Sequence, residues 1–133
     1  MSPRVRRVVS TREGGRSRGD FASFNLSASV GDDPAAVAAN RARLRRELGV
    51  PVVFLEQVHG IRVAVVDAVP ADDAPDVPAT DAAVTALPGV GIAVLAADCV
   101  PVLLADPEAG VVGESRLQDY VLGVIAGEEW HAG

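Results

Sequence analysis

The side chains best equipped for chemistry are Cys99, the chain's single cysteine, and His59, one of two histidines. Asp98 stands directly before the cysteine, so a carboxylate and a thiol sit side by side. A Cys–His pair supports two chemistries. An imidazole can activate a thiolate nucleophile. Alternatively, zinc can take the sulfur and a ring nitrogen, and a catalytic zinc then needs one more protein ligand plus water. Spacing leaves both open, together with a cysteine that serves only as a small buried hydrophobe. Gln57 stands two residues before His59, which on an extended backbone turns both side chains to the same side. Asn25, between Phe24 and Leu26, reads as a buried hydrogen-bonding residue or as a substrate contact. Arg12, Arg16 and Arg18 flank the paired glycines Gly14 and Gly15. Such a loop can approach an anion closely, or it can simply be solvated.

These groups need elements to hold them. Two short apolar runs, Ile92 to Ala97 and Val100 to Ala105, are rich in β-branched residues and bounded by breakers. They predict two buried strands, with Asp98 and Cys99 at the hinge between them. Pro101 cannot donate to a sheet ladder and predicts a bend, bulge or sheet edge. Asp33 fits an N-cap and Pro34 a first helical position, predicting a helix from there to about Leu48 with Gly49 as its stop. Val37, Leu44 and Leu48 share one side of it, and Arg41, Arg43, Arg45 and Arg46 read as solvated. Further strands are expected at 4–9 (an edge), at Val52 to Leu55, at Ile61 to Val66 and from Val111. Pro70 to Pro78 reads as an exposed loop, and Pro88-Gly89 and Asp106 to Gly110 as turns. Tyr120 to Ala126 is an apolar run of no clear type.

Composition narrows the class. The chain has 133 residues, which predicts one domain. Apolar residues make up 49% and charged residues 23%, a soluble globular balance. No apolar run approaches a membrane span, and the Arg-rich start lacks the apolar segment of a signal peptide. A single cysteine rules out an internal disulfide framework and makes a reducing cytoplasm the default. All 12 basic residues are arginine, a pattern of GC-rich coding. The net charge of −6 weighs against nucleic acid as a partner, although the first residues are locally basic.

Several short motifs occur in a fixed order. They are Thr11-Arg-Glu-Gly-Gly-Arg-Ser17, Phe21-Ala-Ser-Phe-Asn-Leu26, Val30-Gly-Asp-Asp-Pro34, Asn40-Arg41, Gln57-Val-His-Gly60, Asp81-Ala-Ala-Val-Thr85 and Ala97-Asp-Cys-Val-Pro-Val-Leu-Leu-Ala-Asp106. The ordered set closely resembles the laccase-domain or polyphenol oxidase family, also called purine nucleoside phosphorylase of the multicopper-oxidase-like type. The resemblance covers residues 8–113. It makes 1–113 the N-terminal part of that domain and 114–133 a divergent segment. It implies an α+β fold of layered mixed β-sheets with flanking helices, here as an incomplete family domain. It further implies a cytoplasmic bacterial enzyme that phosphorolyses adenosine, inosine, guanosine and methylthioadenosine and deaminates adenosine. A copper-dependent polyphenol oxidase activity has also been attributed to the family.

The family's site looks like a zinc, with copper as the alternative metal, held by two histidines and a cysteine. The first histidine falls on His59 and the cysteine on Cys99. The second belongs to a His-Ala-Gly-Trp-Arg-Gly motif shortly after the strand matching Val111 to Gly113. Counting on places Arg116 there, and an arginine cannot ligate a metal. Trp130-His131-Ala132-Gly133 spells the start of the missing motif, which makes His131 the candidate third ligand, either after an insertion or by chance. Within the same resemblance Arg12 would hold phosphate, with Arg62 a weaker candidate. Asn25 and Gln57 would orient sugar or base, and Asp98 would polarise a ligand or close a turn. The expected partners are a small-molecule nucleoside and phosphate, with no nucleic acid and no membrane. Three functional outcomes follow: an active nucleoside metalloenzyme, a hydrolase editing peptidoglycan precursors, or a truncated, catalytically inactive member.

Overall fold

The computed structural model describes residues 5–96, 100–117 and 124–125, with side chains described up to residue 115. The described residues divide into two units, one formed by Val9–Val50 and the other by the rest.

The Val9–Val50 unit is built on helix α1, Pro34–Leu48. Its start and stop follow from local chemistry. The Asp33 side chain accepts from the Ala35 N–H at 3.0 Å, and Pro34 occupies a position whose N–H would have no helical partner anyway. Gly49 ends the helix in the left-handed region, at φ 74°, with its N–H on the Arg45 carbonyl. Val37 and Leu44 are buried as the spacing predicts. Two of the four helix arginines are not merely solvated. Arg41 is buried and its Nε donates to the Leu26 carbonyl at 2.8 Å. Arg43 donates to the Gly14 carbonyl, pairs with Glu47 at 3.0 Å and lies 5.6 Å from the Phe24 ring centroid. A guanidinium has enough donors to tie down loop carbonyls that apolar neighbours would leave unsatisfied.

The helix thus carries an arch of loop, residues 11–27. Its hub is Asn40, 1% exposed. The Asn40 Oδ1 accepts from the Arg16 N–H at 2.7 Å, and its Nδ2 donates to the Ser17 hydroxyl at 2.9 Å and the Asn25 carbonyl at 2.8 Å. Ser17 in turn donates to Asp32 at 2.5 Å, and Asn25 Nδ2 donates to the same carboxylate oxygen at 3.1 Å. These donors, Ser17 first, hold the Asp32 carboxyl below its ordinary range. Gly15 threads the arch so closely that a Cβ there would lie 2.1 Å from the Ser23 carbonyl oxygen. A short 3₁₀ turn, Gly19–Phe21, completes this unit.

The second unit is β-structure. Strand β1, Val52–Phe54, pairs in parallel with β4, Gly91–Ala93. A second sheet is made of β2 (Val63–Val66), β3 (Ala82–Thr85), β5 (Val100–Asp106) and β6 (Val111–Leu117), in the order β2-β3-β6-β5. β2 and β3 run parallel, and β6 is antiparallel to both β3 and β5. The short β7, Val124–Ile125, pairs with β6 off that path. Val53, Leu55, Ala83, Val90 and Ile92 form the core between the sheets. The β5–β6 turn is closed by the Asp106 side chain, which accepts from the N–H groups of Glu108 and Ala109. An α+β architecture of mixed sheets with one described helix is therefore observed.

Three expectations need correction. Neither apolar run is buried along its length: in the first, Ile92 is buried, Ala93, Val94 and Leu95 are half-buried and Ala96 is exposed. β4 lies in the core, whereas β5 is an edge strand with mostly exposed or half-exposed side chains. Pro101 explains this, since an edge has one side where a missing N–H costs nothing. Residues 5–9 show a single bridge at Arg6 and no strand. The extended backbone expected across Gln57 and His59 is instead a turn, described below.

Cross-strand register separates the faces of the larger sheet. Ala64, Ala83, Glu114 and Leu103 form one row toward the core, and Val65, Val84, Gly113 and Leu104 form a neighbouring row on the opposite face. Glu114 is consequently inside, fully buried between Ala83 and Leu103. Neither of its carboxyl oxygens has a hydrogen-bond partner among the described residues. Burial pushes its pKa well above the usual carboxylate range.

Candidate functional site

His59 lies on a turn that connects β1 to β2. Its φ is 62°, the left-handed region that a side chain with a Cβ seldom adopts. Asp81, the residue just before β3, accounts for this geometry. Its carboxylate accepts from three successive backbone N–H groups: Val58 at 3.0 Å, His59 at 2.9 Å and Gly60 at 2.9 Å. Successive N–H groups converge on one anion only when the backbone curls into a nest, and the left-handed residue supplies the curl. The anchor is itself fixed. Asp81 is buried, its N–H donates to the Arg62 carbonyl at 3.2 Å, and its carbonyl accepts from the Ser115 hydroxyl of β6 at 3.2 Å. The imidazole of His59 remains exposed to solvent.

Gln57 is fastened on the other side. Its Nε2 donates to the Leu95 carbonyl and its Oε1 accepts from the Leu95 N–H, both at 2.8 Å. The side-chain amide thus pairs with a backbone residue as a strand neighbour would. Leu95 lies two residues past β4, on the run that leads into Asp98 and Cys99. Gln57 therefore ties the His59 turn to the approach of the cysteine. Asp98, Cys99 and His131 lie outside the described residues, as does the side chain of Arg116.

The remaining candidates fall in different places. Arg62 is exposed at the end of the His59 turn. Arg12 and Asn25 belong to the Val9–Val50 unit. Arg12 is exposed, and two of its nitrogens, Nε and Nη2, hold the Ala22 carbonyl at 3.1 and 2.9 Å. Asn25 spends its amide locally: Nδ2 donates to the Ser27 carbonyl and Asp32, and Oδ1 accepts from the Ser27 N–H. A cavity of about 260 Å³ between β1, β2 and the following loop is lined mainly by apolar groups such as Phe54, Val66 and Val77, and includes none of the candidates.

A zinc would need three protein ligands. Among the described residues no three His, Cys, Asp or Glu side chains gather to hold one. His59 does suit one ligand position, being a solvent-facing imidazole on a backbone fixed by three hydrogen bonds. Asp81 was not singled out as a site residue by sequence reasoning. Its signal is faint, a lone acid at the entry to an alternating apolar strand, because the turn it closes lies 22 residues earlier.

The profile of the family described as "Multi-copper polyphenol oxidoreductase laccase" matches residues 6–115. The chain belongs to this family. Among its laccase-family relatives, a protein named purine nucleoside phosphorylase in Mycobacterium tuberculosis is 55% identical over 114 residues, covering 84% of this chain and 44% of that protein. One with the same name in Streptomyces griseus is 57% identical over 108 residues, covering 79% and 44%. The crystal structure of YlmD from Geobacillus stearothermophilus superposes with a TM-score of 0.72 at 36% identity, covering 82% of this chain and 43% of that one. The Neisseria meningitidis protein NMB0706 gives 0.69 at 38%, covering 81% and 43%. The chain spans less than half the length of these laccase-family proteins.

Proposed function

We propose that this chain contributes the His59 side of a purine nucleoside phosphorylase-like site. The observation that carries the reading is the double fastening of the His59 turn, to β3 through Asp81 and to the run entering Cys99 through Gln57. Sequence relatives named purine nucleoside phosphorylase support the reaction class. In phosphorolysis, inorganic phosphate attacks C1′ of the ribose and the purine base leaves. Arg12 is the phosphate residue the family resemblance implies; its Nε and Nη2 hold the Ala22 carbonyl, so it would meet an oxyanion from its Nη1 side. Gln57 acts through the backbone of Leu95, so its part is to position rather than to touch base or sugar.

Zinc is the metal we assign, with His59, Cys99 and His131 as its ligands and copper as the alternative. When bound, it supplies a Lewis acid that lowers the pKa of a coordinated water, the requirement for deaminating adenosine at C6. His59 contributes an imidazole whose backbone is held by the Asp81 carboxylate.

Incubating the purified chain with adenosine and phosphate tests the proposal. Adenine in the products marks phosphorolysis, inosine marks deamination, and hypoxanthine marks both in sequence. His59→Ala is expected to remove every product. A second reading, a non-catalytic family member, is favoured by Arg116, which stands where the family resemblance expects the second histidine. Absence of all three products, with the protein folded, selects it.

A further inference from the structure

We propose that Asp81 is the positioning residue of the His59 site: its buried carboxylate gathers the N–H groups of residues 58–60 and so sets the direction from which the imidazole meets a ligand. This inference rests on the reading of His59 as a working ligand. Its own support is geometric. A histidine at φ 62° is strained unless its surroundings over-determine it, and strain of this kind gathers where a side chain must be presented in one way. Three charge-assisted bonds to a single carboxylate do the over-determining. The carboxylate is not adjustable, because Asp81 is buried at the entry to β3 and bonded through its own backbone to Arg62 and to Ser115 of β6. Thr80, immediately before it, is also fully buried, with its N–H on the Glu56 carbonyl. The turn therefore takes its shape from the sheet. Gln57 fastens the same turn to Leu95, just past β4.

The tests use the full chain and zinc alone as the probe. The first is amide hydrogen exchange on the wild type without zinc. Residues 58–60 should exchange at least about tenfold more slowly than free peptide, and zinc should add little protection. Unprotected amides that become protected only when zinc binds overturn the inference, because the metal and not Asp81 would then shape the turn. The second is zinc affinity by chelator competition. Asp81→Asn, which removes the charge and turns one acceptor into a donor facing other donors, should speed exchange at 58–60 and weaken zinc about 10- to 100-fold. Unchanged zinc affinity in a folded Asp81→Asn protein overturns the inference. His59→Ala separates this from the parent proposal. If zinc binds that variant as it binds the wild type, the metal assignment of His59 falls, while exchange at 58–60 still reports on the tether. Should Asp81→Asn not fold, the wild-type exchange measurement decides the matter.

Discussion

Asn40 puts a primary amide where water cannot reach it and satisfies it from three residues of one loop. Removing it would take this partner from the Arg16 N–H and the Asn25 carbonyl and leave a void beside Ser17, which keeps its bond to Asp32. Asn40→Ala should therefore cost about 2–4 kcal/mol of stability, read from chemical denaturation. Asn40→Asp should also destabilise, since a carboxylate cannot donate to Ser17 or Asn25. The same logic governs what was legible in individual residues. That Asn25 and Gln57 are polar among apolar neighbours is plain in the sequence, and both alternatives for Asn25 were visible there. Which partner each amide finds is not, because Gln57 meets Leu95 across 38 positions of chain. His59 was readable as a candidate by its chemistry alone. Its left-handed backbone was hidden, since nothing local to a histidine asks for that conformation.

At the scale of elements, α1 was legible from cap to stop, whereas β6 was legible only as a strand starting at Val111. The helix carries its own signals: an Asp cap, a proline at the first position and a terminal glycine. Strand pairings are set by distant partners, so the sequence showed strand segments without their order or burial. β6 adds a residue that contradicts its surroundings, the buried Glu114. Replacing it with leucine, of similar size, should stabilise the fold by about 1–3 kcal/mol even where the carboxyl is protonated, because it removes two unsatisfied polar atoms. The gain should grow with pH. Burial raises the folded-state pKa, so the folded protein holds its proton where the unfolded chain has lost it. Wild-type stability then falls as pH rises from the ordinary carboxylate range toward the raised value, and levels off above it. Denaturation midpoints of wild type and Glu114→Leu should separate further at pH 8 than at pH 4. A constant difference would mean that Glu114 finds a partner in solution.

For the molecule as a whole, family membership was readable because ordered short motifs survive where no single motif is distinctive. The described residues fall into two units, and a single family profile spans both. Among the described residues no helix is long and apolar enough to cross a membrane. The larger sheet nevertheless exposes apolar side chains at its two edges, Val63 and Val65 on β2 and Val100 and Leu104 on β5. Val65→Thr combined with Leu104→Gln should leave the unfolding midpoint within about 0.5 kcal/mol of wild type. The pair should also reduce self-association as followed by sedimentation, since exposed apolar patches favour contact. Unchanged sedimentation would show that these side chains are already covered.

Those outward side chains have a practical corollary. A sheet that exposes valine and leucine at both edges, in a chain of net charge −6, is amphiphilic. Such a protein should collect at air–water boundaries, foam on stirring, cling to plastic and be retained on a phenyl column until the salt is withdrawn.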